Sequence, residues 1–183
     1  MLKKLLIAFG LLIFVGIAVI AALIMTTKTD FGVEREITIN KPRNEVFAYA
    51  KLVKNQNEWG PWFKRDPAMK QEFSGTDGSV GFISKWESHN PEVGSGEQEI
   101  KRIVENERIE TELRFKQPFE SKADAYLTTE TAGENQTRVK WGFKSSMPKP
   151  MNLLLLVMDI EKEIGKDYES GLDGLKKAVE SMP

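Results

Sequence analysis

Two side chains in this 183-residue sequence combine reactive chemistry with a telling position, and they are His89 and Glu161. His89 is the one histidine and falls in Ser88-His89-Asn90-Pro91, a turn signal. An imidazole titrates near neutrality and suits a catalytic base, yet a turn at the end of a hairpin presents it to water and away from any cavity. Glu161 follows Val157 by four residues and precedes Ile164 by three, within an apolar stripe near the C terminus. At about 100° per residue it projects within roughly 40° of the centre of that stripe. Its carboxylate is therefore expected to face the sheet, where it would hydrogen-bond a ligand head group or act as acid or base. The plainer reading is a carboxylate that reaches the rim or pairs with an inward arginine, Arg35 or Arg102, since buried charges are usually paired.

Nothing else in the sequence offers a reaction. There is no Ser-His-Asp set, and one histidine among scattered carboxylates gives no metal-ligand spacing. The absence of cysteine excludes disulfides, Cys-ligated zinc, iron–sulfur clusters and thiol catalysis. No catalytic residue, metal or cofactor is assigned. The remaining candidates are apolar: Trp62, Phe82, Trp86, Leu113, Trp141, Phe143, Ile164 and Tyr168 are expected to line a ligand pocket with Glu161 as its polar member. The same side chains would serve equally well as packed core.

The elements that must position these residues begin after an unusual start. Leu5 to Met25 contains no charged or strongly polar side chain, and only Gly10 and Gly16 interrupt its hydrophobic residues. At about 1.5 Å per residue such a helix covers roughly 30 Å, the thickness of a bilayer's hydrocarbon. The competing reading is a cleaved signal peptide, with Lys3-Lys4 as its positive end and Val19-Ile20-Ala21 as a cleavage site. Signal-peptide apolar cores usually run about 7 to 15 residues, and this longer one reads as a retained single-pass anchor. Residues 1–27 are thus expected to be the anchor and 28–183 one soluble domain. Lys3 and Lys4 without a nearby acid favour a cytoplasmic N terminus and a domain outside the cytoplasm. With 26 Lys+Arg against 27 Asp+Glu, the net charge of −1 argues against nucleic acid as a partner; protein partners stay open.

Beyond the anchor, Phe31 to Asn40 alternates Val33, Ile37 and Ile39 with Glu34, Glu36 and Thr38, the pattern of a half-buried strand. Pro42 starts a helix carrying Val46, Phe47 and Ala50 inward, and a second short helix over Leu52–Glu58 ends at Trp59-Gly60-Pro61-Trp62. From residue 68 to 146, turn signals such as Thr76-Asp77-Gly78-Ser79 and Gly133-Glu134-Asn135 separate five or six strands with no helix between them. A parallel βαβ sheet is excluded. Ile109, Thr111, Leu113 and Phe115 share one face, as do Val139, Trp141 and Phe143, so one side of the sheet must be covered. The cover is a single long amphipathic helix expected over Met147–Met182, with Val157, Ile160, Ile164, Tyr168, Leu172, Leu175 and Val179 on its stripe. Within it Met151–Met158 (MNLLLLVM) is more apolar than a one-sided helix requires, which suits closing a cavity mouth, touching a membrane or capping a sheet edge. Asn135-Gln136-Thr137 matches a glycan acceptor, but its place in a turn accounts for its composition.

Strand, two short helices, antiparallel meander and long C-terminal helix is the element order of the α+β helix-grip fold. On three stretches the sequence resembles the START/polyketide-cyclase-like (SRPBCC) superfamily, and within it the polyketide cyclase/dehydrase and lipid-transport group. These are Ile39-Asn40-Lys41-Pro42-Arg43-Asn44-Glu45-Val46-Phe47, Trp59-Gly60-Pro61-Trp62, and Gly78-x-x-Gly81 followed by Trp86 and Gly94-x-Gly96. The resemblance covers about residues 31 to 181 and implies a curved sheet gripping the last helix around a cavity. Such motifs mark a fold and not a reaction.

Three functions follow. A membrane-tethered module would hold a hydrophobic small molecule or lipid as carrier or sensor. A polyketide-cyclase-like enzyme would use Glu161 or an arginine on an apolar substrate. A non-catalytic interaction domain would fill its cavity with its own side chains.

Overall fold

The computed structural model describes residues 1–183. An isolated helix α1 (Leu2–Thr26) leads into β1 (Asp30–Ile39), α2 (Arg43–Ala50), a 3-10 turn at Val53–Asn55, α3 (Gln56–Trp59) and α4 (Pro61–Arg65). Six strands follow: β2 (Lys70–Ser74), β3 (Ile83–Glu87), β4 (Ser95–Val104), β5 (Arg108–Gln117), β6 (Ser121–Gly133) and β7 (Gln136–Ser146). A 3-10 segment, Met151–Leu156, precedes the last helix, α5 (Ile160–Glu180). All seven strands form one curved antiparallel sheet in the order β1-β7-β6-β5-β4-β3-β2. The chain thus closes β1 against β7, and α5 lies across the concave face with most of its contacts on β1.

Strand parity sets the core. Ala123, Ala125 and Leu127 of β6 alternate inward, as do Val139, Trp141 and Phe143 of β7, and they meet Tyr168, Leu172, Leu175 and Val179 of α5. Phe47 and Trp59 from the short helices complete the apolar interior. The hairpin before β3 is longer than its sequence suggests, because Gly78 and Gly81 take φ of 74° and 87° in the left-handed region that glycine tolerates. Asp77 in that turn accepts hydrogen bonds from the backbone N–H groups of Val53 (2.8 Å) and Lys54 (3.1 Å), which ties the turn to the short helices.

The single helix expected over Met147–Met182 is broken. Pro148 and Pro150 cannot continue an α-helical ladder, and Asp159 caps a new start by accepting from the Lys162 N–H at 3.1 Å. Helix α5 therefore begins only at Ile160. Val157, counted on the stripe, is 80% exposed, whereas the stripe from Tyr168 onward is buried.

Helix α1 has no buried residue, and it is the one helix with the length and hydropathy of a membrane span, properties a signal sequence shares. Its C-terminal end is nevertheless held. Asn152, fully buried, donates from Nδ2 to the carbonyls of Ile24 and Thr27, both at 3.0 Å, and Lys149 Nζ donates to the carbonyl of Met25 at 3.0 Å.

Candidate functional site

The inner pocket is built around Trp141, which β7 places opposite Arg35 of β1 and Leu127 of β6. Its indole stacks on Tyr168 of α5, with ring centroids 4.0 Å apart and planes 24° from parallel. Trp62 meets Trp141 edge-on at 5.7 Å, and Trp59 does so from another side at 5.0 Å. Gly60 and Pro61 make this possible by ending α3 and starting α4, which turns Trp62 inward beside the buried Trp59. The aromatic cluster fills most of the space under the helix. What remains is a pocket of about 130 Å³ between α3, α4 and β2–β5. An apolar cavity of about 150 Å³ accepts benzene, so the space suits one ring or a short acyl segment.

Polar groups enter this pocket from the apolar faces of the strands. Ser84 stands opposite Gln98, and Gln98 opposite Leu113, so the three lie side by side across β3, β4 and β5. Gln98 Nε2 donates to Thr111 Oγ1 at 3.3 Å, leaving its carbonyl free of that bond. Asn57 and Gln71 exchange two amide hydrogen bonds, at 2.8 and 2.9 Å, and link α3 to β2 at the pocket wall. Trp86 Nε1 donates to the Val93 carbonyl at 3.3 Å, and its ring meets Phe115 edge-on. Tyr168 is the one ionisable side chain among the lining residues. Burial, with a smaller contribution from Tyr126, pushes its phenol well above the usual range, so it stays a neutral hydroxyl.

A second, open groove of about 990 Å³ lies at the end of the sheet where α1 joins β1. Its lining is mostly polar and charged, with Glu34, Glu112, Lys122, Asp124, Tyr126, Lys144 and Glu161 beside Phe31, Val33, Ala123 and Phe143. Phe143 meets Tyr168 at 5.8 Å and Phe31 at 5.9 Å. The Tyr126 hydroxyl donates to Glu34; burial first, and that carboxylate second, push its phenol up to about 12.

Of the residues chosen from sequence, Trp62, Trp86, Leu113, Trp141 and Tyr168 line the inner pocket together. Phe82 does not: it is 1% exposed and stacks on Phe73 at 6.1 Å, within the packed interior. Phe143 lines the outer groove, and Ile164 is half-buried against the core. Glu161 follows the plainer of its two readings, a rim carboxylate beside Arg35, and does not face the sheet. Its side chain is 70% exposed, at the rim, 4.0 Å from Arg35, whose Nε donates to Glu169 at 2.7 Å. In the first turn of α5, just past the break, Glu161 lies at the helix end and not over the sheet. The polar lining residues Gln71, Ser84 and Gln98 were missed. Their signal was available, since Ser84 shares parity with Phe82 and Trp86, and Gln98 with Ile100.

The architecture is that of the helix-grip, Bet v1-like class, a sheet closed around a C-terminal helix with a pocket between them. Residues 30–180 match the family described as polyketide cyclase / dehydrase and lipid transport, and the chain belongs to that family. No curated protein matches it. Among solved structures it is similar to norcoclaurine synthase from Thalictrum flavum in complex with dopamine and hydroxybenzaldehyde. The TM-score there is 0.65 at 12% identity, covering 86% of this chain and 91% of that one. It is also similar to Aha1 from Colwellia psychrerythraea, solved as a dimer, with a TM-score of 0.55 at 15% identity over 82% of this chain and 97% of that one. Protein Mll3558 from Rhizobium loti gives a TM-score of 0.58 at 18% identity, covering 81% and 96%. At these identities the likeness concerns the fold.

Proposed function

We propose that the chain is a membrane-anchored binding protein whose domain, residues 28–183, holds a small hydrophobic molecule or a short segment of a lipid in the inner pocket. The observation that carries this reading is the lining itself. Trp62, Trp86, Leu113, Trp141 and Tyr168 converge on a space with amide and hydroxyl groups at its wall and no carboxylate, lysine or histidine. Such a site supplies apolar burial and a few orienting hydrogen bonds, and it lacks the paired acid and base a proton-transfer enzyme would use. Family membership adds weight, because lipid transport is among the family's described roles.

Retention of α1 as a single-pass anchor is supported by its apolar run from Leu5 to Met25, longer than the core of a signal peptide. Asn152 fixes only the end of α1, since its partners at Ile24 and Thr27 lie beyond Ala21 and would survive cleavage there. The lysines at positions 3 and 4 favour a cytoplasmic N terminus with the domain on the other side.

The test uses the full chain in detergent. Organic extraction followed by mass spectrometry should release a discrete apolar molecule, and titration with toluene or hexanoate should change the tryptophan emission from Trp62, Trp86 and Trp141. Ala125, which lines the pocket, replaced by phenylalanine should abolish both while near-ultraviolet circular dichroism shows a folded core. A wild-type chain with neither adduct nor response would sink the binding reading. An N-terminal mass beginning after Ala21 would sink the anchor.

A further inference from the structure

The turn Met151–Met158 is unexplained by the pocket. Met151, Leu154, Leu156, Val157 and Met158 are all exposed, in a stretch with no charge to solvate it. Phe119 is a second large exposed apolar side chain, in the loop between β5 and β6. The registers bring the two together. Asp30 pairs with Ser146, Ser145 with Ala123, and Ser121 with Phe115, so the start of β1, the end of β7 and the β5–β6 loop share one end of the sheet. That is also the end at which α1 joins the domain. Asn152 and Lys149 fix the turn to the carbonyls of Ile24, Met25 and Thr27, and the Met147 N–H donates to the Thr29 carbonyl at 2.9 Å.

We propose that Met151–Met158 and Phe119 form a second membrane contact, seated in the interfacial layer of the same bilayer that α1 spans. The inference rests on the reading of α1 as an anchor. If Ile24 and Met25 are the last apolar residues in the hydrocarbon, any side chain beside their carbonyls lies at the boundary of headgroups and acyl chains. Exposed leucines, valine, methionines and phenylalanine are favourable at that depth and costly in water. Lys149 and Lys28 sit at the same level, where their aliphatic stems can lie along lipid while the ammonium groups reach phosphates. A protein partner or second copy would have to enter the space between the domain and the membrane; a bilayer already occupies it. The outer groove opens at this end too, lined by Lys28, Asp30, Phe31 and Ser146.

The chain contains no cysteine, so single cysteines can be introduced into the full protein and labelled with an environment-sensitive nitrobenzoxadiazole dye. Labelled Leu156→Cys, Val157→Cys and Phe119→Cys proteins would be placed in phosphatidylcholine–phosphatidylglycerol vesicles. Val80→Cys, exposed at the opposite end of the sheet, and Ile13→Cys, in the middle of α1, serve as references. The expected result is blue-shifted emission at 119, 156 and 157 that is lost when the lipids carry a nitroxide near the headgroup. Position 80 should show neither effect, and position 13 should be quenched by a nitroxide deep in the acyl chain. Unshifted, unquenched emission at 156 and 157 with normal quenching at 13 overturns the second contact and leaves the anchor standing. Loss of quenching at 13 with quenching retained at 156 and 157 overturns the anchor and keeps the contact. A blue shift that follows protein density and ignores the nitroxide lipids would indicate a second copy and overturn the proposal.

Discussion

Trp141 approaches Gly171 so closely that a Cβ at position 171 would stand 2.6 Å from the indole ring. The stack of Trp141 on Tyr168 thus depends on a residue that contributes no side chain. Glycine inside a helix costs about 1 kcal/mol relative to alanine, and here closer packing of sheet and helix is what that cost permits. In Gly171→Ala the buried indole has nowhere to move, so overpacking of about 1–3 kcal/mol should exceed the gain in helix propensity. Gly165 is the contrast. A Cβ there would meet the Arg35 guanidinium, the far end of a flexible and half-exposed side chain. Gly165→Ala should displace Arg35 from Glu169 and leave stability unchanged or raised by up to about 1 kcal/mol. Thermal unfolding of both variants, followed by near-ultraviolet circular dichroism, checks the pair; equal effects would refute the packing argument.

Tyr168 shows how the pocket and the core trade volume. Its ring holds Trp141, Trp62 and Phe143 in place, and nothing titratable hydrogen-bonds its hydroxyl. Tyr168→Phe should keep stability within about 1 kcal/mol, since one neutral hydrogen-bonding group is at stake. Tyr168→Ala should cost about 3–5 kcal/mol, as other large aromatic truncations do. It should also enlarge the inner pocket, which Tyr168 lines, and admit ligands too large for the wild-type protein. Chemical denaturation and a chain-length series of fatty acids, read by tryptophan emission, test both halves.

Much of this was legible from residue types. The alternation in β5, β6 and β7 assigns inward faces, and Asp-Gly, Gly-Glu-Asn and Gly-Pro mark where elements stop. The break at Val157–Asp159 was hidden because Val157, Ile160 and Ile164 keep helical spacing straight through it. The evidence for it was local and chemical: two prolines upstream and an aspartate suited to a cap. That break carried Glu161 from the sheet to the rim. Pocket volume was not legible at all, because Trp62, Trp141 and Tyr168 satisfy the same pattern whether they line a space or fill it. Nor could spacing connect Asn152 with Ile24, since a contact across 128 positions has no periodic signature.

Arg114 gathers three carboxylates on the outer face of the sheet: Glu97 at 2.6 Å, Glu99 at 2.8 Å, and Glu112. The Arg114 hydrogen bond first, and Lys101 second, hold the Glu99 carboxyl below the usual range. A carboxyl lowered in the folded state adds stability above its unfolded pKa of about 4.3, and that stability is lost as pH falls through the lower folded value. Arg114→Gln leaves the carboxylates facing one another, so it should destabilise by about 1 kcal/mol at neutral pH for these partly exposed groups. The difference from wild type should shrink below about pH 4.3, as the carboxyls protonate. Urea unfolding at a series of pH values measures it, and a gap that widens on acidification would contradict the sign.

Asn152 joins the domain to α1 through two hydrogen bonds from one buried amide. Asn152→Asp replaces the donor with a group that repels the Ile24 and Thr27 carbonyls, and Asn152→Leu removes the polar atoms altogether. Leaving two carbonyls without their donor should cost about 1–3 kcal/mol locally. The sheet and α5 lie outside this contact and should keep their structure. The expected outcome is a folded domain with a loosened junction: faster amide exchange over residues 24–29, where the Thr27 N–H bonds Leu23, and faster tryptic cleavage after Lys28. Asn152→Asp should show the larger effect, because repulsion is added to loss. Unchanged exchange at the junction in both variants would mean that the amide does not hold the end of α1 to the domain.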